Sequence, residues 1–377
     1  QTRGWFYTLL AISVAVTGKA PYKHVLVNEL VLDKLGKKMS KSRGNAVDPN
    51  QVLDLRGADA LRFYLIATSQ PWSSTRFDVD GVTEVAKKLL GTLRNTTQFF
   101  VLYANIDGYD PVAKEPSRPN ALDRWIRSRL QGTVRACRVS LGEYELTRGA
   151  RAIQEFVVEE LSNWYVRRCR RRFWKAGDPA DKRAAYDTLY TCLTTVSRLL
   201  APYAPFITEE LHQHLVRPAF PDAPQSVHWA DYPETDAAAI DEELDRAMAL
   251  AERVVVLGRA SRNLASLRVR QPLRRIAVAG LPEREQKALL SLADVIQEEL
   301  NVKELAFAQD RGELLTLAVK PNFPVLGKKA GPAMKELAAA IQAAPPADAR
   351  AALAAGGWDV EAAGQRFRLV AEDVIVQ

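Results

Sequence analysis

Apolar positions recur along this chain with two different spacings, and the change from one to the other divides it. Residues 4–16 are nearly all apolar and predict a buried or amphipathic helix, which Gly18 to Pro21 breaks. His24-Val25-Leu26-Val27 reads as a short strand of a parallel sheet, and Val31-Leu32-Asp33 opens a hairpin through Leu35-Gly36. From Val52 onward the spacing turns helical, through Gly57 to Leu65 and then along a long helix past Phe100. Residues 107–119, with Pro111, Pro116 and Pro119, form a turn-rich linker. Asn120 offers a helix N-cap, with Asp123 three residues on. Ile153, Phe156, Val157, Leu161, Trp164 and Tyr165 then form one stripe. Leu189, Leu193, Val196 and Leu200 form a second, ended by Pro202 and Pro205; Ile207, Leu211 and Leu215 form a third. These stripes predict a helical bundle. After an acidic, alanine-rich linker at 231–243, a long helix carries Leu244, Met248, Ala251 and Val255 on one face. Strands are expected at Ile276–Ala279 and Leu314–Val319, with a helix over Leu289–Leu300 between them. Pro345-Pro346 breaks a helix running from Ala333, and Arg366–Val370 is expected to pair with Val374–Val376.

The 377 residues suffice for two or three domains, and 47% hydrophobic with 26% charged residues is ordinary for a globular chain. A net charge of +7 suits a polyanionic partner. Cys137, Cys169 and Cys192 lie far apart and form no metal-ligand cluster, which fits a reducing, cytoplasmic setting and excludes a disulfide scaffold. The longest apolar run, Trp5–Val16, is interrupted by Thr8 and Ser13 and is too short for a bilayer span. Arg3 before that run mimics a secretory signal, but the bulky Trp5, Phe6 and Tyr7 suit a folded domain better. A start at Gln1 rather than methionine suggests a fragment of something longer.

Chemistry concentrates in two stretches. Lys37 to Asn45 packs four cations, two hydroxyls and a glycine into nine residues, a density that cannot be buried without partners. Ammonium and hydroxyl groups so placed can close on a polyphosphate and neutralise charge building on a leaving group; a solvated basic turn is the bland alternative. The second stretch, Arg167, Arg168, Arg170, Arg171, Arg172 and Lys175, is interleaved with Phe173 and Trp174. Arginines near a helix C-terminus favour its dipole by about 0.3–1 kcal/mol each, and this many exceed what capping requires. Phosphate neutralisation with base stacking on Trp174 is the functional reading.

Lys38-Met39-Ser40-Lys41-Ser42 resembles the signature loop of class I aminoacyl-tRNA synthetases. The resemblance implies that Lys41 holds the pyrophosphate of ATP, assisted by Lys38, with Ser40 and Ser42 hydrogen-bonding and Met39 and Asn28 joining the ATP site. Gln1-Thr2-Arg3-Gly4-Trp5-Phe6 is similar to the isoleucyl-tRNA synthetases, which implies that Gln1 and Trp5 line the aliphatic pocket. Asn28-Glu29 departs from the His-Gly of many bacterial members. Leu161-Ser162-Asn163-Trp164-Tyr165-Val166-Arg167-Arg168 resembles the anticodon-binding helix of the isoleucyl, valyl and leucyl group, as do Ala201–Leu211 and Ser226-Val227-His228-Trp229. Glu299–Glu304 and Lys320-Pro321-Asn322-Phe323 are similar to isoleucyl strings.

The resemblance implies a multidomain, mainly α chain. Residues 1–47 would end a Rossmann-like α/β catalytic domain, 48–118 form a helical connector that rests against the inner bend of tRNA (a stem-contact region), 119–235 an anticodon-binding bundle, and 236–377 a long helix with a small α/β appendage. The implied function is isoleucine activation with ATP and Mg²⁺ and transfer to tRNA(Ile), by a monomeric cytoplasmic enzyme with no membrane partner and no zinc or other metal site in this chain. Arg167, Arg168, Arg171, Arg172 and Trp174 would contact tRNA, and Lys328-Lys329 are further RNA candidates. No His-Ile-Gly-His-type motif occurs, the nearest histidines being His212 and His214 in a helix, so half of the catalytic site and the family's editing domain are expected outside this chain. A valyl or leucyl enzyme and a non-catalytic tRNA-binding module stay open as alternatives.

Overall fold

The computed structural model describes residues 4–175, 177–308 and 319–376, and they fall into two units, Gln1–Ala249 and Leu250–Gln377. In the first unit, α1 (Trp5–Thr17) ends as expected at Gly18, whose left-handed φ of 68° lets its N–H reach the Val14 carbonyl. No residue of α1 is buried, and Trp5 is 74% exposed. The strand expected at His24–Val27 does not form: the segment runs through exposed, unpaired backbone, and among the described residues no strand lies alongside it. Pairing starts later, where β1 (Val31–Leu32) lies parallel to β2 (Thr75–Arg76). The chain then doubles back as predicted, with Asp33 N–H donating to Lys37 O at 2.9 Å and Leu32 bridging Lys38 antiparallel.

The connector is helical: α2 (Pro49–Arg56), α3 (Ala58–Thr68) and α4 (Val79–Val85), the last running through a wider π-helical turn, Ala86–Gly91, into α5 (Thr92–Asp107). Asp48 caps α2 by accepting from the Asn50 N–H. Val52, Ala60, Tyr64, Phe77 and Val82 form the connector's core. Gly81 is required there, since a Cβ would sit 2.5 Å from the Tyr64 ring.

The bundle consists of α6 (Ala121–Gly142), α7 (Leu146–Glu155), a π-helical segment Phe156–Val166, α8 (Arg167–Trp174), α9 (Pro179–Leu200) and α10 (Pro205–Leu211). Asn120 and Asp123 close a capping box at the start of α6. The predicted stripes are buried, with Phe156, Leu161, Tyr165, Leu189 and Leu193 at the centre. Tyr165, Leu161 and Phe156 belong to the π-helical segment, whose fifth residue per turn keeps residues four and five apart on one buried face.

A helix over Glu242–Leu264, α11, spans the boundary between the units. In the second unit β3 (Leu273–Ala279) and β4 (Val302–Ala308) pair in parallel, joined through α12 (Glu283–Leu290) and α13 (Ala293–Leu300). The expected single helix over Leu289–Leu300 is thus two, separated at Ser291-Leu292. Of the strand expected at 314–319, residues 314–318 lie outside the described residues; β5 is Val319–Pro321. It is followed by α14 (Phe323–Ala330), α15 (Met334–Ala343) and α16 (Pro346–Ala354). The expected pairing of the last strands is corrected. Gln365–Leu369 (β7) pairs with Trp358–Ala362 (β6), whereas Val374–Val376 (β8) pairs with β5. A tight turn with positive φ at Ala363 and Gly364 makes the local hairpin.

Candidate functional site

The lysine loop is held at its base and open at its tip. Asp33, at the bend of the hairpin, accepts from Leu35 N–H (3.0 Å) and Lys37 N–H (2.7 Å) through Oδ1, and from Asn45 Nδ2 (2.8 Å) through Oδ2. Asn45 in turn accepts the Ser40 N–H at 2.9 Å and donates to Lys38 O at 3.3 Å. The Asn45 amide, then the Lys37 and Leu35 N–H groups, hold the Asp33 carboxyl below its ordinary range. These two short side chains therefore tie the loop's entry to its exit. Between them Lys41–Arg43 makes one 3₁₀ turn closed by Gly44 at φ 66°.

Lys38 and Lys41 are exposed, and among the described residues neither makes an ion pair. Ser40 Oγ and Ser42 Oγ lie 3.2 Å apart on the same turn. Met39 is half-buried and packs against the connector core of Val52, Ala60, Tyr64, Phe77 and Val82. Met39 thus points inward while the loop's cations point out. Lys34, one turn earlier, pairs with Asp78 at 2.9 Å and fixes the hairpin to the start of α4. Asp33 and Asn45 were missed from the sequence as site residues; the signal was a pair of amide- and carboxylate-bearing residues bracketing the basic run.

Trp5 and Asn28 are both exposed, on α1 and in the extended segment, and no hydrogen bond among the described residues joins either to the loop. Gln1 lies outside the described residues.

The connector helix α3 ties the loop's support to the bundle at both ends. The buried Asp59 carboxylate, in its first turn, accepts the backbone N–H groups of Phe206 (3.1 Å) and Ile207 (2.7 Å), the free donors at the start of α10. At the other end, Arg151 donates to Ala67 O and Thr68 O, each at 2.8 Å. Thr147 Oγ1 shares its proton between Ile66 O (2.7 Å) and Ser69 O (3.0 Å). The last carbonyls of α3 are thereby satisfied by side chains of α7.

The arginine helix α8 divides by face. Arg167, Arg170, Arg171, Lys175 and Trp174 are exposed, Trp174 by 52%. Arg167 donates to Asn163 O at 2.7 Å, and the guanidinium groups of Arg167 and Arg168 lie 5.9 and 5.6 Å from the Trp164 ring centroid. Arg172, one of the expected tRNA contacts, faces inward. Its guanidinium grips Asp123 through two 2.8 Å bonds and also reaches Asp181 at 2.9 Å. Burial opposes its charge, but the Asp123 carboxylate outweighs burial and raises its pKa. Tyr165 O–H donates to the same carboxylate at 2.6 Å. Lys329, one of the further candidates, likewise pairs with the buried Asp373 at 2.7 Å.

Two family models match this chain: "tRNA synthetases class I (I, L, M and V)" over residues 1–78 and "Anticodon-binding domain of tRNA ligase" over residues 123–277. The chain is 43% identical to an isoleucine–tRNA ligase of Porphyromonas gingivalis over 380 aligned positions, covering 99% of this chain and 33% of the relative. It is 41% identical to that of Thermus thermophilus, covering 100% and 36%, and 45% identical to that of Clostridium novyi, covering 88% and 31%. A solved LeuRS–tRNA–LeuAMS complex from Agrobacterium radiobacter aligns at 21% identity and a TM-score of 0.47 over 63% of this chain and 28% of that one, a likeness too slight to argue from. The chain spans about a third of the length of the curated relatives it matches.

Proposed function

This chain belongs to the class I tRNA synthetases, among the isoleucine–tRNA ligases, and we propose that it supplies such an enzyme with its pyrophosphate-binding loop and its anticodon-binding surface. The whole reaction joins isoleucine to ATP as an adenylate, releases pyrophosphate, and passes the aminoacyl group to tRNA(Ile). The observation that carries the reading is the lysine loop, braced at its base by Asp33 and Asn45 and presenting Lys38 and Lys41 without ion-pair partners among the described residues.

When the α-phosphate of ATP is attacked, negative charge grows on the departing pyrophosphate. Ammonium groups already placed at the loop tip stabilise that charge without reorganising, with Lys41 in the leading role and Lys38 beside it. Ser40 and Ser42 donate O–H groups to phosphate oxygens, and Met39 keeps the loop seated on the connector while its backbone faces the nucleotide. Mg²⁺ would arrive with ATP and share the phosphate charge. The loop's ammonium and hydroxyl donors fit phosphate oxygens rather than a cation, and no group of three or more His, Cys, Asp or Glu residues that could hold a metal occurs among the described residues. The resemblance assigns the isoleucine pocket to Gln1 and Trp5 and the adenosine side to Asn28. The apolar surface of α1 is where the remaining length of such an enzyme packs.

The exposed Arg167 and Arg171 with Trp174, and the half-buried Arg168 beside them, contact tRNA, and Arg170 joins that set while Arg172 leaves it. No described helix is long and apolar enough to cross a membrane. In the full-length enzyme, Lys41→Ala is expected to slow isoleucine-dependent pyrophosphate exchange by roughly 10²–10³-fold, as removal of one preorganised donor does. Unchanged exchange would sink the proposed role.

A further inference from the structure

From Arg259 to Arg275 the chain places six arginines and no acidic residue. The second unit engages two of them, Arg259 and Arg262, and leaves four exposed. Arg259 pairs with Glu299. Arg262, only 4% exposed, is taken up entirely by carbonyls: Arg268 O and Gln271 O at 3.0 Å through Nη1, Leu300 O at 2.7 Å and Asn301 O at 3.2 Å through Nη2. No carboxylate among the described residues faces it, so its charge adds to the local field instead of being cancelled. Asn301, held at φ 49°, donates from Nδ2 to Val269 O and Arg270 O, both at 3.0 Å.

The carbonyls of four successive residues, 268 to 271, are therefore all turned inward onto two side chains. That arrangement withdraws the negative ends of four peptide dipoles from the surface and fixes the backbone of an otherwise irregular loop. Arg268, Arg270, Arg274 and Arg275 are all exposed, and none makes an ion pair among the described residues. Surface arginines in a protein with 45 acidic residues ordinarily find some of them nearby.

We propose that the loop Arg268–Arg275 is a second RNA-backbone site, separate from α8, that grips phosphates of a tRNA; the choice of RNA rests on the tRNA reading above. Phosphate is the chemistry the loop recognises, because guanidinium forks bind its oxygens bidentately. The six cations are all arginines, whereas a purely electrostatic attraction to a lipid surface is served equally by lysine. The buried Arg262 and the half-buried Asn301 set the loop before RNA arrives, which lowers the ordering cost of binding.

The test measures binding of bulk tRNA to the whole chain across a salt series. Arg268→Ala, Arg270→Ala and Arg274→Ala are combined in one variant, and Arg167→Ala, Arg170→Ala and Arg171→Ala in another. Each phosphate contact contributes about 0.7–0.9 to the slope of log affinity against log salt, so the loop variant is expected to lose about 2 from that slope. An unchanged slope overturns the loop site, while the α8 variant separately reports the tRNA-binding role proposed for the bundle. Loop-dependent binding to phosphatidylcholine–phosphatidylserine vesicles, without loop-dependent tRNA binding, would replace RNA by a membrane surface and overturn the proposal.

Discussion

Arg171 and Arg172 are neighbours in sequence with opposite surroundings. Arg171 is exposed, whereas Arg172 holds the buried Asp123, which also accepts the Tyr165 hydroxyl and caps α6. Removing a buried ion pair's one partner leaves the other charge stranded, at a cost of about 3–5 kcal/mol. Arg172→Met is therefore expected to lower urea-unfolding stability by that order, while Arg171→Ala stays within about 0.5 kcal/mol. Equal effects would erase the division of α8 into structural and exposed faces. The sequence displayed a basic run but not this split. Which arginine turns inward depends on Asp123, 49 residues earlier, reaching the same point in the bundle. The lysine loop was legible because its chemistry is local; its brace was less so, since Asp33 and Asn45 become neighbours only when the hairpin closes.

Among elements, α3 shows how local capping rules act across long sequence separations. Asp59 caps not its own helix but α10, 147 residues away. Loss of an N-terminal cap typically costs about 0.5–2 kcal/mol. For Asp59→Ala the same loss is expected, with faster amide hydrogen exchange at Phe206 and Ile207 relative to the centre of α9. Unaltered exchange at those two amides would remove the capping role. Helix spacing and proline stops were readable in advance, so α6, α9 and α10 lie where the apolar stripes put them. Strands fared worse. His24–Val27 has the right residues but no partner, and β8 bypasses its sequence neighbour for β5, because pairing is decided by what lies alongside rather than by composition.

At the scale of the molecule, the three thiols report on the first unit's interior. Burial pushes Cys137 up to about 11, and Cys169 and Cys192 up to about 12. An unfolded thiol titrates near about 8.5. Since the folded values are higher, this part of the stability is complete below about pH 8.5 and is lost as pH rises toward the folded values. Urea midpoints should fall on the alkaline side, and no thiol should react with a disulfide reagent at pH 8 until the chain unfolds. A thiol that reacts in the folded chain would contradict its burial. The apolar run of α1 predicts a buried or amphipathic helix, yet none of its residues is buried; a hydrophobic pattern states a need for cover and not its source. The double fastening of α3 carries one more consequence, in the currency of chain length. One residue added to or deleted from a helix shifts its far end by about 1.5 Å and swings it by about 100°. Asp59 could then meet α10, or Ile66 to Ser69 meet α7, but not both. Insertions and deletions should be purged from Ala58–Thr68 and accumulate in the turn-rich 108–119, so that a deletion scan of the gene would find its sharpest intolerance along α3.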